Sequence, residues 1–106
     1  MKTLLLALML MSGTVAAAPA PDRVTLRGTI SDSACAMHAH HEGTAEACTK
    51  QCVRAGARYV FVSGDHVYDI VNQHHSDVLM HAGHDVILVG TMIQGGGIRV
   101  ISVDMP

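Results

Sequence analysis

The chain has 106 residues, a formal net charge of −2 at pH 7, 49% hydrophobic residues, and only two Tyr, one Phe and no Trp. A weakly acidic, aromatic-poor chain lacks the basic patches and stacking rings on which nucleic-acid binding rests, and it has no basic amphipathic stripe for a membrane surface. Its length suits one small domain, of a size that often leans on a disulfide or a metal for stability.

At the N-terminus, Lys2 precedes the apolar run Leu4 to Met11 and the small-residue exit "GTVAAAPAP". This is the pattern of a secretory signal peptide. It spans 1–17, with cleavage expected after Ala17, and is too short for a membrane span of about 20 apolar residues. No cysteine lies near the cut for a lipid anchor. The expectation is a soluble periplasmic or secreted protein with a flexible lead-in over 18–23 and a domain over 24–106. Lead-in and domain together carry six basic and nine acidic side chains.

"VTLRGTIS" alternates apolar and polar residues, as a half-buried strand does, with Gly28 suggesting a bulge or bend. "DSACAMHAHHEG" has no period and reads as loop, in which Asp32 and Ser33 suit a cap or turn leaving the strand. "TAEACTKQCVRAG" predicts a helix with Thr44 as N-cap and Gly56 as C′ residue, and with Ala45, Cys48, Cys52 and Ala55 on its apolar side. "RYVFV" and "VYDIV" flank Gly64 and Asp65 and predict a hairpin. Ser76 is placed to cap a short helical turn ending near Gly83, with Val78, Leu79 and Ala82 inward. "DVILVGTMI", the turn "QGGG" and "IRVISV" complete two further strands.

After residue 17 the chain holds eleven Val and six Ile against three Leu, an excess that favours strands. The order predicts a mainly β fold. The expected form is a small five-stranded, partly open Greek-key barrel of the OB type, with an inserted helix after strand 1 and a short helix between strands 3 and 4. An α+β sandwich is the alternative.

Chemistry concentrates in three cysteines and eight histidines, all of the latter between His38 and His84. Cys48 and Cys52 stand one helical turn apart on one face, roughly 5–6 Å between Cβ atoms. That is wider than the roughly 3.5–4.5 Å a disulfide needs. Either is better placed to meet Cys35 from the preceding loop. One reading is a disulfide of Cys35 with Cys48 or Cys52, leaving one buried thiol. Another is a metal site of Cys35, His38, Cys48 and Cys52, since Cys₃His is an established tetrahedral zinc set. Copper(I) also accepts thiolates, and Met37 lies in the loop. An intermolecular disulfide is the third. His40 and His41, and His81 with His84 about Gly83, are candidates for accessory metal binding.

No CxxCH, thioredoxin-type CxxC, GxSxG or phosphate loop occurs. The sequence therefore points to a non-enzymatic binding module with a Cys/His clip for zinc or copper. The alternative is a disulfide-stabilised domain that binds an unidentified protein or small ligand without a dedicated metal. A thiol-redox enzyme stands third.

The pattern "GTISDSAC…H…CTKQCVRAGARYVFV…VYDI…AGHDVILVGTM…IRVISV" resembles a group of small exported bacterial proteins of unknown function. These share a G-x-I-x-D-x-x-C start, a C-x-x-x-C helix, a glycine and a "Y-V" strand. A G-x-x-V-x-V-x-G strand and a terminal I-x-V strand follow. The similarity runs roughly from Arg27 to Val103, and the three cysteines, Asp32, Gly56 and Gly90 fall on it. Members commonly carry Gly after the first cysteine, where this chain has Ala36. The resemblance implies an OB-like barrel outside the cytoplasm and brings no assigned activity.

Overall fold

The computed structural model describes residues 9–13, 22–36 and 44–106. Most of the expected signal segment, most of the lead-in, and His38, His40 and His41 lie outside the described residues. The elements are β1 (Arg23–Asp32), α1 (Ala45–Arg54), β2 (Tyr59–Ser63), β3 (His66–Asp69), α2 (Ser76–Met80), β4 (Asp85–Met92) and β5 (Ile98–Asp104). Five strands and two short helices occur where the sequence places them.

The strands form one antiparallel sheet in the order β3-β2-β1-β4-β5. β1 is its spine. Residues Arg23 to Thr29 pair with β4, and Thr29 to Asp32 pair with β2. The hairpin β2–β3 turns through Gly64 and Asp65, and Gly64 has the positive φ (57°) that the first position of a II′ turn requires.

The sheet curls until its two edges touch. Just beyond β3, Ile70 forms a parallel bridge with Ile98, and the Val71 amide donates to the Ile98 carbonyl at 3.0 Å. Asn72 then continues the seam with its side chain: Nδ2 donates to the Val100 carbonyl (2.8 Å) and Oδ1 accepts from the Val100 amide (2.9 Å). Gln73 does the same to the opposite strand, Oε1 accepting from Tyr59 N and Nε2 donating to Tyr59 O, both at 2.7 Å. Two consecutive amides thus satisfy backbone groups of Val100 on the β5 edge and of Tyr59, where β2 runs beyond its pairing with β3. With one bridge between the edges, this is a mainly β open sheet and not a closed barrel.

The aliphatic excess fills the inside of the curl. Ile30, Phe61, Ile70, Val86, Leu88 and Ile98 are fully buried, and α2 adds Val78 and Ala82. Each such large side chain contributes about 1.5–3 kcal/mol by leaving water. In β5 the buried positions are Ile98, Val100 and Val103. Gly90 pairs with Val100 and Val89 with Ser102, so Ile101 is an extra, bulged residue that turns Val103 back to the core.

Four local expectations are corrected. Gly28 marks no bulge in β1. It permits close approach, because a Cβ there would strike the Val62 carbonyl and the Phe61 ring. The cap of α2 is His75, whose Nδ1 accepts from the Asp77 amide at 3.1 Å, one residue before Ser76. Leu79 points outward, because a five-residue helix buries a single stripe, here Val78. On α1 the residue that is fully buried is Thr49, with Val53 packed on the core, while Ala55 is exposed as the C-cap. No helix among the described residues is long and apolar enough to cross a membrane.

Candidate metal centre

The centre is built where β1 ends. The Ser33 amide donates to the Arg58 carbonyl (2.8 Å) and the Arg58 amide donates to Ser33 Oγ (2.9 Å), which clamps the chain to the start of β2. Asp32 then folds the next residues over itself. Its Oδ1 accepts from the amides of Ala34 (3.0 Å) and Cys35 (2.9 Å), and its carbonyl accepts from Ala36 N at 2.7 Å. This short-range capping by an Asp side chain directs Cys35 inward, where it is buried. The turn ends with Ala36 at φ 43°, a left-handed conformation that Gly adopts at no steric cost.

The other two thiols come from α1, which is well defined at both ends. Thr44 Oγ1 accepts from Ala47 N at 3.1 Å. At the far end the amides of Gly56 and Ala57 donate to the carbonyls of Val53 and Cys52, both at 3.0 Å, with Gly56 at φ 109°. That pair of bonds is a Schellman motif. Within the helix, Cys48 and Cys52 lie one turn apart on the side that meets Cys35. The Sγ atoms of Cys35, Cys48 and Cys52 all lie within 4.8 Å of one another. All three are free thiols.

The surroundings of Cys35 and Cys52 favour the protonated thiol. Burial pushes the Cys35 thiol up, reinforced by the negative Asp32 and by a hydrogen bond with Cys48. Cys52 is pushed up to about 12, by burial first, then by the Asp32 charge, then by its hydrogen bond with Cys35. Asp32 is fully buried, and its second oxygen, Oδ2, has no hydrogen-bond partner. A buried carboxylate with a vacant lone pair beside three thiols makes the pocket electronegative. Such a field opposes thiolate formation unless a cation arrives. Three thiols this close together can hold a soft cation, while Cys35 and Cys52 lack the lowered pKa of an activated thiol nucleophile.

Comparison with protein-family models, curated proteins and solved structures gave no match.

Of the residues singled out from sequence, Cys35, Cys48 and Cys52 are brought together. His81 and His84 meet each other beside Glu46, near the start of α1, with ring centroids 6.0 Å apart. Two participants were not assigned a role at the site. Asp32 sets its charge, and the signal for it was a buried-strand end followed three residues later by cysteine. Glu46 fixes His84 (3.2 Å between Oε2 and Nε2) and pairs with Lys50 at 2.7 Å. Lys50 first and His84 second hold its carboxyl below the ordinary carboxylate range.

Proposed function

We propose that this is an exported, non-enzymatic binding module that carries one transition-metal ion, zinc or copper(I), on the thiolates of Cys35, Cys48 and Cys52, with His38 as fourth donor. The observation that carries the reading is the meeting of three thiols within 4.8 Å. A tetrahedral zinc centre with Zn–S bonds of about 2.3 Å sets its sulfurs roughly 3.8 Å apart. Small side-chain movements span that difference. The negative, buried Asp32 beside the thiols favours a cation and disfavours a thiol nucleophile. His38 follows Cys35 by three residues on the same segment, the spacing of a C-x-x-H pair. Export rests on Lys2, the run Leu4 to Met11 and the small-residue exit.

A second reading is a disulfide-stabilised domain that binds a protein or small ligand without metal. It is favoured by the nearness of Cys35 Sγ to both helical thiols, within 4.8 Å, since either pair need only close to bond distance.

Protein purified without reductant, assayed for free thiols and for zinc and copper, separates the two. One equivalent of metal with three protected thiols supports the metal module, and one disulfide with no metal supports the second reading. Full metal content in Cys35→Ser would sink the metal centre. Unchanged affinity in His38→Ala would remove His38 from the donor set.

A further inference from the structure

The thiol cluster leaves a second set of donors unused, at the N-terminal end of α1. His81 Nδ1 lies 2.8 Å from the Asp77 carbonyl. A carbonyl only accepts, so Nδ1 carries the proton and the lone pair stands on Nε2. His84 Nε2 lies 3.2 Å from Glu46 Oε2. A carboxylate likewise only accepts, which leaves the lone pair on His84 Nδ1. That atom is buried and has no hydrogen-bond partner. The two rings meet edge to face, at an interplanar angle of 84°.

We propose that His81 Nε2 and His84 Nδ1 together bind a divalent transition-metal ion, Zn²⁺, Ni²⁺ or Cu²⁺, at a site separate from the three thiols. The ring spacing permits it. A metal about 2.0–2.1 Å from a ring nitrogen lies about 3.2 Å from the ring centroid, so two rings sharing one ion have centroids about 4.5 to 6.4 Å apart. The observed 6.0 Å falls inside that window. The rest of each imidazole is also prepared. Metal-ligating histidines nearly always donate their other N–H to a carboxylate or a backbone carbonyl, which fixes the tautomer and the ring direction. His84 has the carboxylate and His81 the carbonyl.

A pair of merely solvated surface histidines does not account for an imidazole nitrogen shielded from water with nothing to bond. An unpaired buried acceptor of this kind calls for a partner, and a cation between the rings supplies one. Two imidazoles make a smaller donor set than three thiolates, so this site holds its ion more weakly. Its backbone is rigid: Gly83 bonds through its amide to the Ile30 carbonyl at 2.6 Å, and the Ile30 amide returns to the His84 carbonyl at 3.2 Å.

The test is a Zn²⁺ titration of the reduced full chain, read by calorimetry and by ¹H–¹⁵N correlation of the histidine rings. The expected result is a second, weaker binding event that moves the ring nitrogens of His81 and His84. His81→Ala, which removes one ring donor and its bond to the Asp77 carbonyl, should weaken that event at least about tenfold, with circular dichroism unchanged. Cys35→Ser should leave it in place, so failure here is distinguishable from failure of the thiol centre. The proposal is overturned if the event survives His81→Ala, if the His81 and His84 ring signals stay still, or if replacing His40 and His41 by Ala abolishes it.

Discussion

The α-carbon of Gly83 rests on the backbone of Glu46. A Cβ at Gly83 would overlap Glu46 N and Cα and the carbonyl carbon of Ala45, and Gly83 itself has φ 79°. The turn between α2 and β4 is therefore the seat on which the first turn of α1 docks, and it brings His84 within reach of the Glu46 carboxylate.

Gly83→Ala should consequently cost more than an ordinary left-handed alanine, for which about 1–2 kcal/mol is expected. Displacement of α1 adds to that, and a total above about 2 kcal/mol is predicted from urea unfolding. A loss below about 1 kcal/mol would mean that α1 does not depend on this contact.

The seam makes a second prediction. Asn72→Ala removes both bonds to Val100 and leaves part of the β5 edge unpaired, which should cost about 1–3 kcal/mol. Hydrogen exchange should show the Val100 amide losing protection ahead of the β1–β4 ladder. Asn72→Asp keeps the acceptor for Val100 N but cannot donate to Val100 O when ionised, and should destabilise comparably at neutral pH.

Under oxidation without metal, Cys35 should pair with Cys48 or Cys52, and a Cys48–Cys52 bridge should be scarce. The reason is the helix: residues one turn apart hold their Cβ atoms roughly 5–6 Å from each other, beyond disulfide range. Peptide mapping of protein oxidised after metal removal reads this directly. A dominant Cys48–Cys52 product would show that α1 unwinds.

Alkylation of Cys52 in the reduced, metal-free protein should be slow at neutral pH and accelerate as pH rises. The thiolate is the reactive form, and Cys52 is held protonated up to about 12. Asp32→Asn keeps the oxygen that accepts from Ala34 and Cys35 while removing the charge, and should lower the pH at which alkylation of Cys52 becomes fast. Rapid modification of Cys52 at pH 7 in the unmodified chain would revive the thiol-enzyme reading.

Much of this was readable in the residues because local physics decided it. The Val and Ile runs, Thr44 and Gly56 as caps, and the Gly64-Asp65 turn each carry their own signal, and the structure uses them as such. The convergence of Cys35 on the helical pair was also legible, since one turn of helix fixes where both thiols point. What escaped depends on residues far apart in the chain. Nothing near Ile101 announces a bulge, because its cause is the register imposed by β4 across the Val89–Gly90 step. Thr49 looks like a helix-surface residue and is buried because α1 sits on the sheet. The amides of Asn72 and Gln73 look like an ordinary loop until Val100 and Tyr59 arrive beside them.

The Asp32 turn has a consequence for the order of assembly. The Asp32 carboxylate and the three thiols all lie between Asp32 and Cys52, so the loop that brings them together is short. The seam joins Asn72 to Val100, 28 residues further along the chain, and needs both sheet edges in place. Contacts of low sequence separation form early in folding. A cation captured by the pocket would thus stabilise a unit of the chain that does not depend on the two sheet edges meeting.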